Sequence, residues 1–102
     1  MPNPAWPELV DVVLDGIDII AGVRSSCFKC PVALAVGRTL RNHGHRFDDV
    51  AVTTSRSGMA LTVHDDGHVV ATYILPTWLS YKIVSYDKGH DLTTCKFTMS
   101  QT

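Results

Sequence analysis

Residues 50–75, VAVTTSRSGMALTVHDDGHVVATYIL, decide the fold. Apolar and polar side chains alternate through VAVTTS, MALTVH and HVVATYIL, which is the period of two expected of strands with one buried face. Between these runs stand Ser57-Gly58 and Asp65-Asp66-Gly67, small and turn-forming residues that allow the chain to reverse tightly. Three strands in an antiparallel meander follow.

Working outward, Pro76 and Thr77 stop the third strand and open a helix in which Leu79, Lys82, Ile83 and Tyr86 share a side and which Gly89 ends. In TCKFTM, Cys95, Phe97 and Met99 alternate with polar partners, as in a half-buried edge strand. Upstream, Pro31–His43 carries a complete set of helix signals: Cys30 at the N-cap, proline at the first helical position, and Gly44 where a left-handed cap is wanted. Ala33, Val36, Gly37 and Leu40 form its apolar stripe, Gly37 is expected to admit close packing on a sheet, and Arg38 and Arg41 face outward near the C-terminus. VDVVL at 10–14 reads as a strand with Val10, Val12 and Leu14 on one face. Asp15 then caps a short turn, Gly16–Ala21, closed by Gly22. Residues 1–9, with prolines at 2, 4 and 7, read as an irregular arm pinned by Trp6.

Residues 10–102 are therefore expected to form a single α+β domain. Its mostly antiparallel sheet of about five strands carries two main helices on one face, in the order β, short turn, α, β, β, β, α, β. At 102 residues the chain is expected to bury roughly 65% of the surface its extended form exposes. An apolar share of 45% and a charged share of 19% are those of a globular protein. With a net charge of −1 and interspersed signs there is no bulk field favouring nucleic acid or an acidic membrane. Apolar runs such as Val69–Leu75 are too short to span a bilayer, and the start lacks the basic flank of a signal peptide, so a cytoplasmic location is expected. Three cysteines do not make a disulfide framework and fit a reducing compartment.

Asp18–Gly22, Cys30-Pro31-Val32-Ala33-Leu34-Ala35, Leu75-Pro76, Tyr86-Asp87-Lys88-Gly89 and Phe97 together resemble a family of small uncharacterised proteins of actinobacteriophages and actinobacterial prophages. In that family a short strand and a glycine-ended turn precede a Cys-Pro-Val/Ile-Ala-Leu-Ala helix. The likeness covers nearly everything after the arm. It implies a fold and a setting, phage genes expressed in a bacterial cytoplasm, and brings no catalytic residues with it. The arm and the HGHR segment after the first helix are not features of that family.

Several groups invite chemistry. Cys27-Phe28-Lys29-Cys30 with His43 and His45 superficially resembles a two-Cys, two-His zinc site, but the histidines are too closely spaced. His43 also lies one helix length, roughly 18–20 Å, from Cys30. As a redox pair, Cys30 would gain thiolate character from the helix start and from Lys29, although such motifs usually put the first cysteine there. Arg38, Arg41, His43, His45 and Arg46 gather at the helix end and could face phosphate or an acidic protein, with Phe47 alone available to stack on a base. His64, Asp65, Asp66 and His68 surround a hairpin turn whose own needs account for Asp-Asp-Gly.

Hydrolase and kinase motifs are missing, and no cofactor is implied. The expectation is a noncatalytic module that binds a host protein through Trp78 and Tyr81 or through an outer terminal strand. Nucleic-acid or phosphate binding at the basic helix end and a metal or thiol site at Cys27 and Cys30 are the alternatives. Homodimerisation through an edge strand stays open.

Overall fold

The computed structural model describes residues 5–55 and 58–102. The first four residues of the arm and the turn signal at Ser57 lie outside the described residues. The elements run β1 (Leu9–Leu14), α1 (Gly16–Ala21), α2 (Pro31–Asn42), β2 (Asp49–Ser55), β3 (Gly58–Asp65), β4 (His68–Ile74), α3 (Thr77–Asp87) and β5 (Cys95–Gln101).

The five strands form one antiparallel sheet in the order β1-β5-β4-β3-β2. The meander is present as expected, and β3 turns into β4 through Asp66 and Gly67, both at positive φ (52° and 76°), the signature of a two-residue type I′ hairpin. A bulge between Val63 and His64 turns Val69 and Val70 outward together. The last strand corrects an expectation: β5 is not an edge. It lies between β1, with which it pairs from Leu9↔Ser100 to Leu14↔Cys95, and β4, which it meets only at Tyr73↔Gln101 and Ile74↔Ser100. Alternation reveals which face of a strand is buried and is silent on which neighbours it takes.

A second difference lies at residues 16–21, which form a helix where a turn was expected. Two acidic residues make it: Asp15 Oδ1 accepts from the Gly16 amide at 2.7 Å, and Asp18 Oδ2 reaches back to the Asp15 amide at 2.9 Å, a reciprocal capping box. Gly22 ends this helix in extended rather than left-handed geometry (φ −71°). Its lack of a side chain has another cause, since a Cβ there would come within 2.5 Å of the Pro31 ring and 2.9 Å of the Asp18 carbonyl.

Helix α2 is capped as its sequence indicates. The Cys30 sulfur accepts from the Ala33 amide at 3.4 Å, Pro31 is the first helical residue, and Gly44 (φ 89°) forms a Schellman ending in which its own amide donates to Arg41 and the His45 amide to Leu40. The α2 flank is broader than the expected stripe, with Pro31, Val32 and Ala35 also buried. Gly37 does not need to be glycine for closeness to the sheet: an added Cβ would sit an ordinary 3.8 Å from Val50.

The core is built on the helix side from Val10, Val12, Leu14, Phe97, Met99, Tyr73, Leu61 and Val63 against Val32, Val36, Leu40, Leu79 and Ile83. Helix α2 packs on both β1 and β2, the two outermost strands. At 12 residues, about 18 Å long, α2 bridges the helix side of the sheet from one edge to the other. The opposite face carries Leu9, Val13 and Ile74 exposed among polar residues. Among the described residues, no helix is long and apolar enough to cross a membrane.

Candidate functional site

The structure takes apart the basic cluster that the sequence brings together at the end of α2. Arg38 turns back along the helix to pair with buried Asp18 and to donate to the Val13 carbonyl at 3.0 Å; the carboxylate raises the guanidinium's pKa, chiefly through its hydrogen bond. Arg41 lies over the Phe47 ring at 4.3 Å. His45 is only 5% exposed and is stacked by Trp6 at 4.2 Å and 13°, so it offers nothing to an external anion. Burial, and to a lesser extent His43, pushes the His45 pKa down, and its Nδ1 has no hydrogen-bond partner among the described residues. His43 and Arg46 remain exposed. Five residues adjacent in sequence thus do not form one cationic surface.

The Schellman ending explains the fate of His45. The residue after the left-handed glycine folds back on the helix's last turn, and Trp6 of the arm covers it, as its expected pinning role requires. Glycine at position 44 was the available signal.

At the other end of α2, Cys27 and Cys30 line a cleft of about 280 Å³ together with Ser25, Ser26, Thr53, Met59, Ile83 and Asp87. Cys27 is exposed and Cys30 buried. Burial raises the Cys30 thiol pKa, outweighing the lowering by the Ala33 and Val32 amides, and Asp87 adds to the rise. A buried thiol of this kind is a poor spontaneous nucleophile. His43 and His45 are not part of this cleft, and no group of three or more metal-ligating side chains occurs among the described residues.

The loop that builds the cleft was not legible as a structure in its sequence. The Arg24 guanidinium donates to the Tyr86 carbonyl and, at 3.0 Å, to the His90 carbonyl, while lying over the Tyr86 ring at 4.2 Å. The Ser25 amide donates to Asp87 at 2.9 Å and the Cys27 carbonyl accepts from Val52 on the edge of β2 at 2.9 Å. These contacts join residues far apart in the chain, so no local pattern announces them.

On α3, Leu79, Ile83 and Tyr86 are buried as expected, leaving the opposite side in solvent. Tyr81 stands near the middle of that side at 73% exposure, with Trp78 at 44% and Val84 at 40% flanking it. Lys88 continues the same side at its C-terminal end and is exposed. Among the described residues neither aromatic ring takes part in a stacked or cation–π pair, unlike Trp6 and Tyr86. His64, by contrast, is occupied at home: its Nε2 lies 2.8 Å from the Thr62 hydroxyl and its ring meets Phe28 edge-on.

No protein-family model, curated protein or solved structure matches the chain.

Proposed function

We propose that this protein is a noncatalytic binding module that acts by occupying the surface of another protein, through the outward side of α3. The observation that carries the reading is the row of Trp78, Tyr81 and Val84 exposed on one helix whose opposite side is fully packed. Tyrosine and tryptophan contribute large apolar area at low entropic cost and a polar tip for a hydrogen bond, which is why they dominate binding hot spots. A helix face of this kind fits an apolar groove on its partner, with the groove's rim acidic where it meets Lys88.

The resemblance to actinobacteriophage proteins supplies the setting, a bacterial host cytoplasm, and makes a host protein the partner. The alternative, phosphate or nucleic-acid binding at the end of α2, has weaker support because Arg38, Arg41 and His45 are each engaged within the chain.

The test is capture from actinobacterial lysate by the wild-type protein and by a Trp78→Ala, Tyr81→Ala double variant with matching thermal stability. A protein retained by the first and lost by the second supports the reading. Identical capture by both, or capture by neither, contradicts it.

A further inference from the structure

The Cys27–Cys30 cleft has a chemistry that the binding surface does not use. From its geometry we infer that Cys27 and Cys30 form a thiol–disulfide exchange site, in which Cys27 takes a low-molecular-weight disulfide and Cys30 resolves the adduct.

Three observations converge on this pair. Both thiols line one cleft, a volume suited to a small molecule and open to solvent on the Cys27 side. Cys27 opens the turn at 27–29 and Cys30 follows it directly; a tight turn brings residues three apart to within about 7 Å, close to the upper end of the about 4.4–6.8 Å that a disulfide spans. The loop is also held firmly: the Lys29 carbonyl accepts from Val23 at 2.8 Å, the Lys29 amide donates to the Ser26 hydroxyl at 3.1 Å, and the Cys27 carbonyl is tied to Val52. Closing the pair then calls for side-chain rotation with little backbone movement.

The unequal surroundings assign the roles. Cys27 is the exposed member of the pair; its thiolate attacks one sulfur of the incoming disulfide, forming a mixed disulfide and releasing one small thiol. Cys30, held protonated by burial, then loses its proton and attacks the Cys27 sulfur. The Cys27–Cys30 bond forms, the mixed disulfide breaks, and the second small thiol leaves with the proton. Two protein thiols are oxidised and one small disulfide is reduced to two thiols. The order is the reverse of a motif whose first cysteine starts the helix, because here the helix start is occupied by the buried member.

The experiment treats the reduced full-length protein with oxidised glutathione under anaerobic conditions, followed by acid quench, alkylation, intact mass and peptide mapping. The wild type is expected to lose a pair of hydrogens, to yield a linked Cys27–Cys30 peptide and to keep Cys95 alkylatable. Cys30→Ser is expected to accumulate a glutathione adduct on Cys27. The inference is overturned if the wild type accumulates that same adduct with Cys30 still alkylated, if Cys27 does not react, or if the disulfide formed includes Cys95. The wild-type mass alone decides even where Cys30→Ser folds poorly.

Discussion

His45 is held neutral by its surroundings: Trp6 covers one face of the ring and burial keeps water away. Its folded pKa is therefore below the ordinary 6.5. Above that value the ring is uncharged in both states and stability is insensitive to it. As pH falls below it, the unfolded chain binds a proton that the folded ring resists, so stability declines until the folded pKa is passed. Thermal melts between about pH 7.5 and 5 should show this loss, and His45→Phe, which keeps the stacking, should flatten it. An unchanged acid slope in the variant would contradict the assignment. At the same scale, Asp18 holds the capping box of α1 and the Arg38 pair at 4% exposure. Asp18→Ala should cost about 1–3 kcal/mol in chemical denaturation. Arg38→Met should cost less, about 1 kcal/mol, because its guanidinium is partly solvated and water can replace it. Equal losses would mean that the ion pair, and not the cap, carries the effect.

At the scale of elements, two glycines distinguish steric need from tolerance. Gly22 lies where the end of α1 meets the rigid Pro31 ring, and neither that ring nor the Asp18 carbonyl can step aside. Gly22→Ala should destabilise by roughly 1–3 kcal/mol. Gly37 meets only the mobile tip of Arg41 at 3.1 Å and Val50 at a normal distance. Gly37→Ala should be neutral or stabilising by up to about 1 kcal/mol, the helix-propensity gain. Urea unfolding of both variants checks the contrast, and a reversed order would refute it. Helices α2 and α3 were legible because local residues mark their ends: Cys30-Pro31, Gly44, Pro76 and Gly89 act within a turn of where they stand. Helix α1 was missed because its cap is the reciprocal Asp15–Asp18 bonding, which resembles an isolated turn until both carboxylates are seen to point back. The interior place of β5 between β1 and β4 could not be read, because Cys95, Phe97 and Met99 would alternate in the same way at an edge.

At the scale of the molecule, α2 bridges the sheet from β1 to β2, and that decides which surfaces are left. Both sheet edges pack on one helix, the Cys27 loop pairs with the edge of β2, and the basic residues at the end of α2 are drawn into contacts with Asp18, Phe47 and Trp6. This is why the site residues fared unequally. The exposure of Trp78 and Tyr81 follows from α3's own periodicity, although core packing accounted for both aromatics equally well in the sequence, whereas the dispersal of Arg38, Arg41 and His45 depends on partners distant in sequence. Among the described residues, apolar side chains remain in solvent on the outward side of α3, on α1 with Ile17 and Ile20, and on the sheet face with Leu9, Val13 and Ile74. The most direct measurement is the affinity of the captured host protein for wild type, Tyr81→Ala and Ile74→Glu by calorimetry. Binding through α3 predicts a loss of about 2 kcal/mol or more, roughly thirtyfold, for Tyr81→Ala, with Ile74→Glu close to wild type. Wild-type affinity in Tyr81→Ala with binding abolished in Ile74→Glu would place the partner on the sheet and contradict the account.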